Sequence, residues 1–311
     1  MDCDSTIVFL AEQAASSQSP LDATIDRMLA AQVGDRNLRS LHVLLKPNLI
    51  TARNGSLPCT DARLIGAVAQ WFKVQGARVV VGDSPAFGSA RSVLAAIRAL
   101  PMLRHLGVPV VEFRRTSDVR LPSGQKAAIA AAALECDLLV NLPKVKAHSQ
   151  MRVTLAVKNL FGCLSGWQKP WWHMVHGGDG NRFADLLVEL LAVLPAGCTV
   201  VDGMVAMHRT GPIHGEPFAL GCLAGGTNPV AVDTALLAVL GLDPSQSPLW
   251  CAAHRAGLQG TDLEAVHFPW ARPIDLRAQG FEVPETLTPV RFNPFRFLQG
   301  SMQRLLLRLS G

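Results

Sequence analysis

Apolar runs of strand length alternate with amphipathic segments of helix length through residues 41–143, and this alternation restricts the fold more than any other feature. "LHVLLKPNLI" (41–50) reads as a buried strand that closes at Lys46-Pro47, because proline cannot continue a central ladder. "DARLIGAVAQWFKVQGA" (61–77) has helical periodicity, with Asp61 as cap and Gly76 as stop. "RVVVGDSP" (78–85) is a second strand and turn, "SARSVLAAIRAL" (89–100) a second helix and "VPVVEF" (108–113) a third strand. "KAAIAAAAL" (126–134) reads as helix and "CDLLVNLP" (136–143) as a fourth strand. Strands joined by helices of this length imply parallel crossovers. The expected fold is therefore α/β, a mostly parallel or mixed sheet with helices on both faces.

The pattern continues with a helix at 182–194, strands at 198–207 and 218–226, and a helix opening near Asn228-Pro229. Proline in the first turn with Asp233 close by suits a helix N-terminus. These elements predict a body over residues 1–265, either undivided or in two lobes that part near 150–200, and an extension over 266–311. The tail from residue 289 carries Arg291, Arg296, Arg304 and Arg308 between Phe and Leu, with no acid. It reads as a basic amphipathic helix, either in peripheral contact with a membrane or docked on the body with its arginine stems over apolar surface.

Hydrophobic residues make up 49% of the chain, enough for a substantial core, yet no uncharged apolar run reaches the ~18 residues of a transmembrane helix. The start, "MDCDSTIVFL", lacks the basic flank and cleavage site of a secretory signal, so the expected location is cytoplasmic. Seven dispersed cysteines without a C-x-x-C pair read as reduced, buried thiols. The net charge of +5 suits an anionic substrate, whereas the absence of tyrosine weakens a nucleic-acid reading, which leans on interleaved aromatics.

Only 17% of residues are charged, yet "NLPKVKAHSQMRVTLAVKNLFG" (141–162) gathers Lys144, Lys146, His148, Arg152 and Lys158 without a carboxylate. Lys144, Lys146 and His148 are two apart, so in an extended segment all three point to one side. Thr154 and Lys158 share a face if 154–162 is helical. Ligands of open α/β sheets bind beyond the carboxyl ends of the strands. Other strand ends bring Lys46 and Asn48, Asp83 and Ser84, and Asp202. Such a crevice suits a carboxylate, phosphate or enolate. It also suits proton transfer, since crowded lysines have lowered pKa values. Taken singly, Asp83 and Asp202 could equally cap helices or tie turns.

"GWQKPWWHMVHGGDGNR" (166–182) reads as a long loop of the kind that covers ligands, or one that anchors on the core through its tryptophans. A divalent metal is a further alternative, with His148, His173 and His176 as candidate ligands; His173 and His176 are three apart, a spacing that suits a helical turn. Dinucleotide, ATP-binding and common hydrolase fingerprints are absent from the sequence.

In order, "LLKPNL", "VVGDSP", "NLPKVKAH", "TLAVKNLFGCL", "WWH", "VVDGMVAMHRTGPIHG" and "NPVAVDTALL" resemble the family called domain of unknown function 362, over about residues 40–260. The resemblance marks Lys46, Asn48, Asp83, Ser84, Lys144, Lys146, His148, Thr154, Lys158, Asn159, His173, Asp202, Gly211, Pro212 and Asp233. Many such relatives carry ferredoxin-like Fe–S segments; this sequence has no C-x-x-C-x-x-C run, so no Fe–S cluster is expected from the chain itself. A looser likeness in lysine and histidine motifs is to nickel-dependent lactate racemase-like proteins.

The leading expectation is an enzyme acting on a small anionic metabolite. Lys144, Lys146 and Lys158 would hold the anion, Lys46 and Asn48 complete the cradle, and His148 or a lysine move a proton. Asp83 or Asp202 would orient that group or hold a cation. The alternatives are a redox protein working with an Fe–S or flavin partner, and a non-catalytic or membrane-peripheral module using the basic tail.

Overall fold

The computed structural model describes residues 6–13, 18–51, 55–165, 172 and 180–288. The chain opens with β1 (Phe9–Glu12), α1 (Gln18–Val33), β2 (His42–Pro47), α2 (Ala62–Val74), β3 (Arg78–Asp83), α3 (Ala90–Ala96), α4 (Leu100–His105) and β4 (Val110–Glu112). The middle holds β5 (Thr116–Arg120), β6 (Lys126–Ala130), α5 (Ala131–Leu134), β7 (Leu138–Leu142), β8 (Lys144–His148), β9 (Arg152–Thr154) and α6 (Ala156–Leu160). The last third has α7 (Gly180–Glu189), β10 (Gly197–His208), β11 (Glu216–Phe218), β12 (Cys222–Gly226), α8 (Pro229–Val239) and α9 (Pro248–Arg255).

A ten-stranded sheet has the order β1-β12-β10-β7-β2-β3-β4, with β8, β9 and β11 attached through β10. The pairs from β10 to β4 are parallel, and β12 and β1 run antiparallel at the other edge. The sheet thus crosses the proposed lobe division at 150–200 without interruption. Alternation along β2 sends Val43 and Leu45 to the face covered by α1–α4, and Leu44 to the face covered by α6, α7 and α9. A third apolar cluster packs α8 on β1, β10 and β12, and takes in Val266 and Phe281 from beyond residue 265.

Local signals held at several ends. Asp61 caps α2 by accepting from the Arg63 amide at 2.8 Å, and Gly76 takes a φ of +82° just past its end. Asn228 caps α8, accepting from Val230 and Ala231, so the glycines before it lead into a helix start already filled by its own cap.

Three expectations change. Residues 126–130 form a strand rather than the start of a helix: alanine carries little periodic signal, and pairing with the polar strand Thr116–Arg120 decides the state. The strand expected over 218–226 is two, β11 and β12, with Gly221 at φ +69° between them. Thr154 ends β9 and lies outside α6, so it shares no helical face with Lys158. Asp233, reaching from α8, accepts from the Ala156 amide at 2.6 Å and the Val157 amide at 3.3 Å, and so sets where α6 begins.

Candidate active site

Four neighbouring strands bring charge to one place. Lys46 is the penultimate residue of β2, Asp83 ends β3, Lys144 opens β8 just after β7 and Pro143, and Asp202 lies on β10 as the register partner of Lys144. Lys46 Nζ meets Asp83 Oδ1 at 2.8 Å, and Lys144 Nζ meets Asp202 Oδ2 at 2.8 Å. All four are buried. Backbone amides complete both carboxylates: Leu49 donates to Asp83, and Asp61 and Met204 donate to Asp202. Removing one partner of such a pair strands a buried charge, at a cost of about 3–5 kcal/mol.

Lys146 differs from these two lysines. Its Nζ donates to Asn48 Oδ1 at 2.7 Å and to the Pro58 carbonyl at 2.9 Å, and among the described residues it forms no ion pair. Burial pushes its pKa down to about 8; Lys144 and Lys46 press the same way, while Cys59 and Asp83 oppose. Lys146 is 1% exposed, but Asn48 above it is half-buried, as is Ser84 after β3, so the cluster reaches the surface at these two residues.

An amide relay fixes the floor. Asn159 Oδ1 accepts from Asn48 Nδ2 at 2.9 Å, and its Nδ2 donates to Asn141 Oδ1 at 2.8 Å and to the Lys46 carbonyl at 3.2 Å. Thr154 is the cross-strand partner of Lys146, and its buried hydroxyl has no hydrogen-bond partner among the described residues.

The remaining candidates lie around this cluster. His148 Nδ1 accepts from the Gln150 and Met151 amides at 3.0 and 3.2 Å, which places the ring proton on Nε2 and makes that atom a donor. Lys158 sits over the rings of Phe161 and Phe183 at 4.4 and 5.5 Å, on the aromatic side of α6. Arg152 turns away to the Glu285 carbonyl at 3.1 Å. Gly211 packs on β8, where an added Cβ would stand 1.9 Å from the Ala147 carbonyl oxygen. Asp233 is occupied with the start of α6, and burial pushes its pKa up to about 8 against the two amide bonds. His173 and His176 lie outside the described residues, as does the tail from 289.

Three contributors escaped the sequence reading. Gly162 covers the Lys46–Asp83 pair so closely that a Cβ would lie 2.2 Å from Asp83 Oδ1 and 2.4 Å from Lys46 Nζ. Thr60 donates to the Leu142 carbonyl at 2.6 Å and accepts from the Asn48 amide at 2.8 Å, tying Asn48 to the end of β7. Asn141 anchors the relay. The latter two sit inside ordinary "CTD" and "VNL" strings, and Gly162 in "NLFG" gives no local hint of the ion pair beneath it.

The described donors do not fit a metal ion. Each cluster carboxylate is already neutralised by a lysine, His148 Nδ1 is spent on backbone amides, and no group of three His, Cys, Asp or Glu is arranged to hold a cation among the described residues. Burial pushes the Cys136 thiol up to about 11 and the Cys198 and Cys222 thiols to about 12, as befits inert core thiols.

A family model described as "Domain of unknown function (DUF362)" matches residues 43–238, a span that contains every residue of the cluster. The chain belongs to the DUF362 family. It is also 39% identical over 272 residues to the thylakoid-associated protein sll1697 of Synechocystis sp. (strain ATCC 27184 / PCC 6803 / Kazusa), covering 86% of this chain and 83% of that one. Among solved structures, this DUF362 chain resembles the lactate racemase apoprotein from Thermoanaerobacterium thermosaccharolyticum, with TM-score 0.50 and 13% identity over 75% of the chain. The match spans 57% of that protein, so the likeness is one of fold over little more than half its length. A protein from Thermotoga maritima matches at TM-score 0.42 and 9% identity, over 64% of this chain and 53% of that one. No described helix of the DUF362 chain is long and apolar enough to cross a membrane.

Proposed function

We propose that this chain is an enzyme that binds a small carboxylate or phosphate metabolite at the strand-end lysine cluster and moves a proton there with Lys146. One observation carries the reading. Among the described residues Lys46 pairs with Asp83, Lys144 with Asp202 and, beside Lys144, Arg63 with Asp61, which leaves Lys146 as the cluster lysine without a carboxylate, directly beneath half-buried Asn48. An anion entering at Asn48 supplies the missing negative charge. The ion pairs engage Lys46 and Lys144 with Asp83 and Asp202, while Lys146, half-protonated near pH 8, exchanges a proton at little energetic cost. His148 can add a donor through Nε2.

A thermal-shift panel of small carboxylates and phosphates tests this. A ligand at about a hundredfold its Kd stabilises the fold by about 3 kcal/mol. The rise should vanish in Lys146→Met while circular dichroism stays native; an equal rise in the variant would place the anion elsewhere.

A second reading concerns location. The relative named thylakoid-associated favours a membrane-peripheral role, for which the basic tail at 289–311 is the candidate. Binding to anionic liposomes should be lost on deleting 289–311; undiminished binding by the truncated chain would remove that role from the tail.

A further inference from the structure

The hydrogen bonds of Lys146 match an amine better than an ammonium. A neutral amine has two N–H groups and one lone pair. Asn48 Oδ1 and the Pro58 carbonyl take up two N–H groups, which leaves the lone pair without a competitor among the described residues. Lys46 and Lys144 are held as ammonium ions by Asp83 and Asp202 and have no such lone pair. Thr154, opposite Lys146 in the β8–β9 register, presents a buried hydroxyl with no partner among the described residues. Cross-strand partners have Cβ atoms about 5 Å apart, which puts Thr154 on the same face of the β8–β9 ribbon as Lys146. A buried hydroxyl left unsatisfied costs about 1–3 kcal/mol, a cost that a bound polar group removes.

We propose that Lys146 is an amine nucleophile that forms an iminium with the carbonyl carbon of a small aldehyde or ketone bearing a carboxylate or phosphate, with Thr154 relaying the proton. This rests on the anion-binding reading and names the substrate class. The Lys146 nitrogen forms a bond to the carbonyl carbon, and the π pair moves to oxygen. One nitrogen proton passes to that oxygen through the Thr154 hydroxyl, which accepts one proton and gives up its own, leaving a neutral carbinolamine. A second proton, from solvent, lets the oxygen leave as water and leaves a C=N bond whose nitrogen keeps one N–H and the positive charge. That N–H retains one of the two existing acceptors. Lys46 and Lys144 are already paired with Asp83 and Asp202, so the positive charge gained by the iminium nitrogen is what balances the anionic end of the substrate.

The depressed basicity of Lys146 supports the same chemistry. With a pKa of about 8, about a tenth of the side chain is neutral at pH 7, against about one part in three thousand for an ordinary lysine.

The test is reductive trapping on the full chain. Pyruvate and dihydroxyacetone phosphate serve as probes, borohydride reduces any iminium to a stable secondary amine, and peptide mass mapping locates it. One adduct per chain at Lys146, formed faster at pH 8 than at pH 6, is expected. Lys146→Arg should abolish it; Thr154→Val should slow it by about a hundredfold, with Thr154→Ser restoring the rate. Labelling spread over exposed Lys73 and Lys126 with none at Lys146 overturns the inference, and mapping of the wild-type chain gives that answer even if the variants fail to fold. Inorganic phosphate in the thermal-shift assay separates the two claims. Stabilisation by phosphate without an adduct at Lys146 refutes the covalent step and leaves the anion site standing; neither stabilisation nor adduct refutes both.

Discussion

Replacing Asp233 by asparagine isolates one titration that links the site to pH. Asp233 is buried, holds the first amides of α6, and has its pKa pushed up to about 8 from the ordinary 3.8. Between these values the unfolded chain has lost the proton and the folded chain keeps it. Folding therefore binds a proton, and stability must fall as pH rises, by about 1.4 kcal/mol per pH unit at most. From pH 5 to pH 7 this amounts to about 3 kcal/mol. Asparagine retains an oxygen for the Ala156 amide and does not titrate, so Asp233→Asn mimics the protonated acid. Urea denaturation at pH 5, 6 and 7 should show an advantage for the variant that grows by about 3 kcal/mol between pH 5 and pH 7. Parallel pH profiles would show that Asp233 folds as a carboxylate, and would refute the burial argument.

Lys146 acts at the alkaline end with the opposite sign. Between pH 8 and 10.5 the unfolded lysine is charged and the folded one neutral, so the wild type should gain about 3 kcal/mol relative to Lys146→Met across that window, read as the difference between two urea series. Equal slopes would mean that Lys146 stays charged. Gly162→Ala forces a methyl against the Lys46–Asp83 pair and should cost about 1–3 kcal/mol in chemical denaturation; a change within about 0.5 kcal/mol would show that the pair has room to move. In a cycle of Lys144→Met and Asp202→Asn, the double variant should lose about 1–3 kcal/mol less than the sum of the singles, and strict additivity would deny that the pair interacts.

Much of the framework was legible because it depends on short-range rules. The strands β2, β3, β7 and β10 follow from apolar runs with clear ends, and strand ends in a parallel sheet converge whatever the details of packing. Hence Lys46, Asp83, Lys144 and Asp202 could be gathered from the sequence alone. Which lysine pairs with which aspartate could not, because it depends on the strand order, where β7 lies between β2 and β10. The phase of α6 was equally hidden. Asp233 starts that helix at Ala156 from more than seventy residues away, which directs Asn159 to Asn48 and Lys158 to Phe161 and Phe183. Polar Thr116–Arg120 carries no apolar alternation, so its pairing with β6, and with it the strand state of 126–130, emerged only from the fold.

The most direct test of the account is a crystal structure of the chain soaked with pyruvate, read for the position of the bound anion. Density continuous with Lys146 Nζ, within reach of Asn48 and Thr154, is the predicted result. Density instead in the cavity of about 350 Å³ lined by Leu139, Leu160, Thr199, Asn228 and Val230, with Lys146 still bonded only to Asn48 and Pro58, would contradict it.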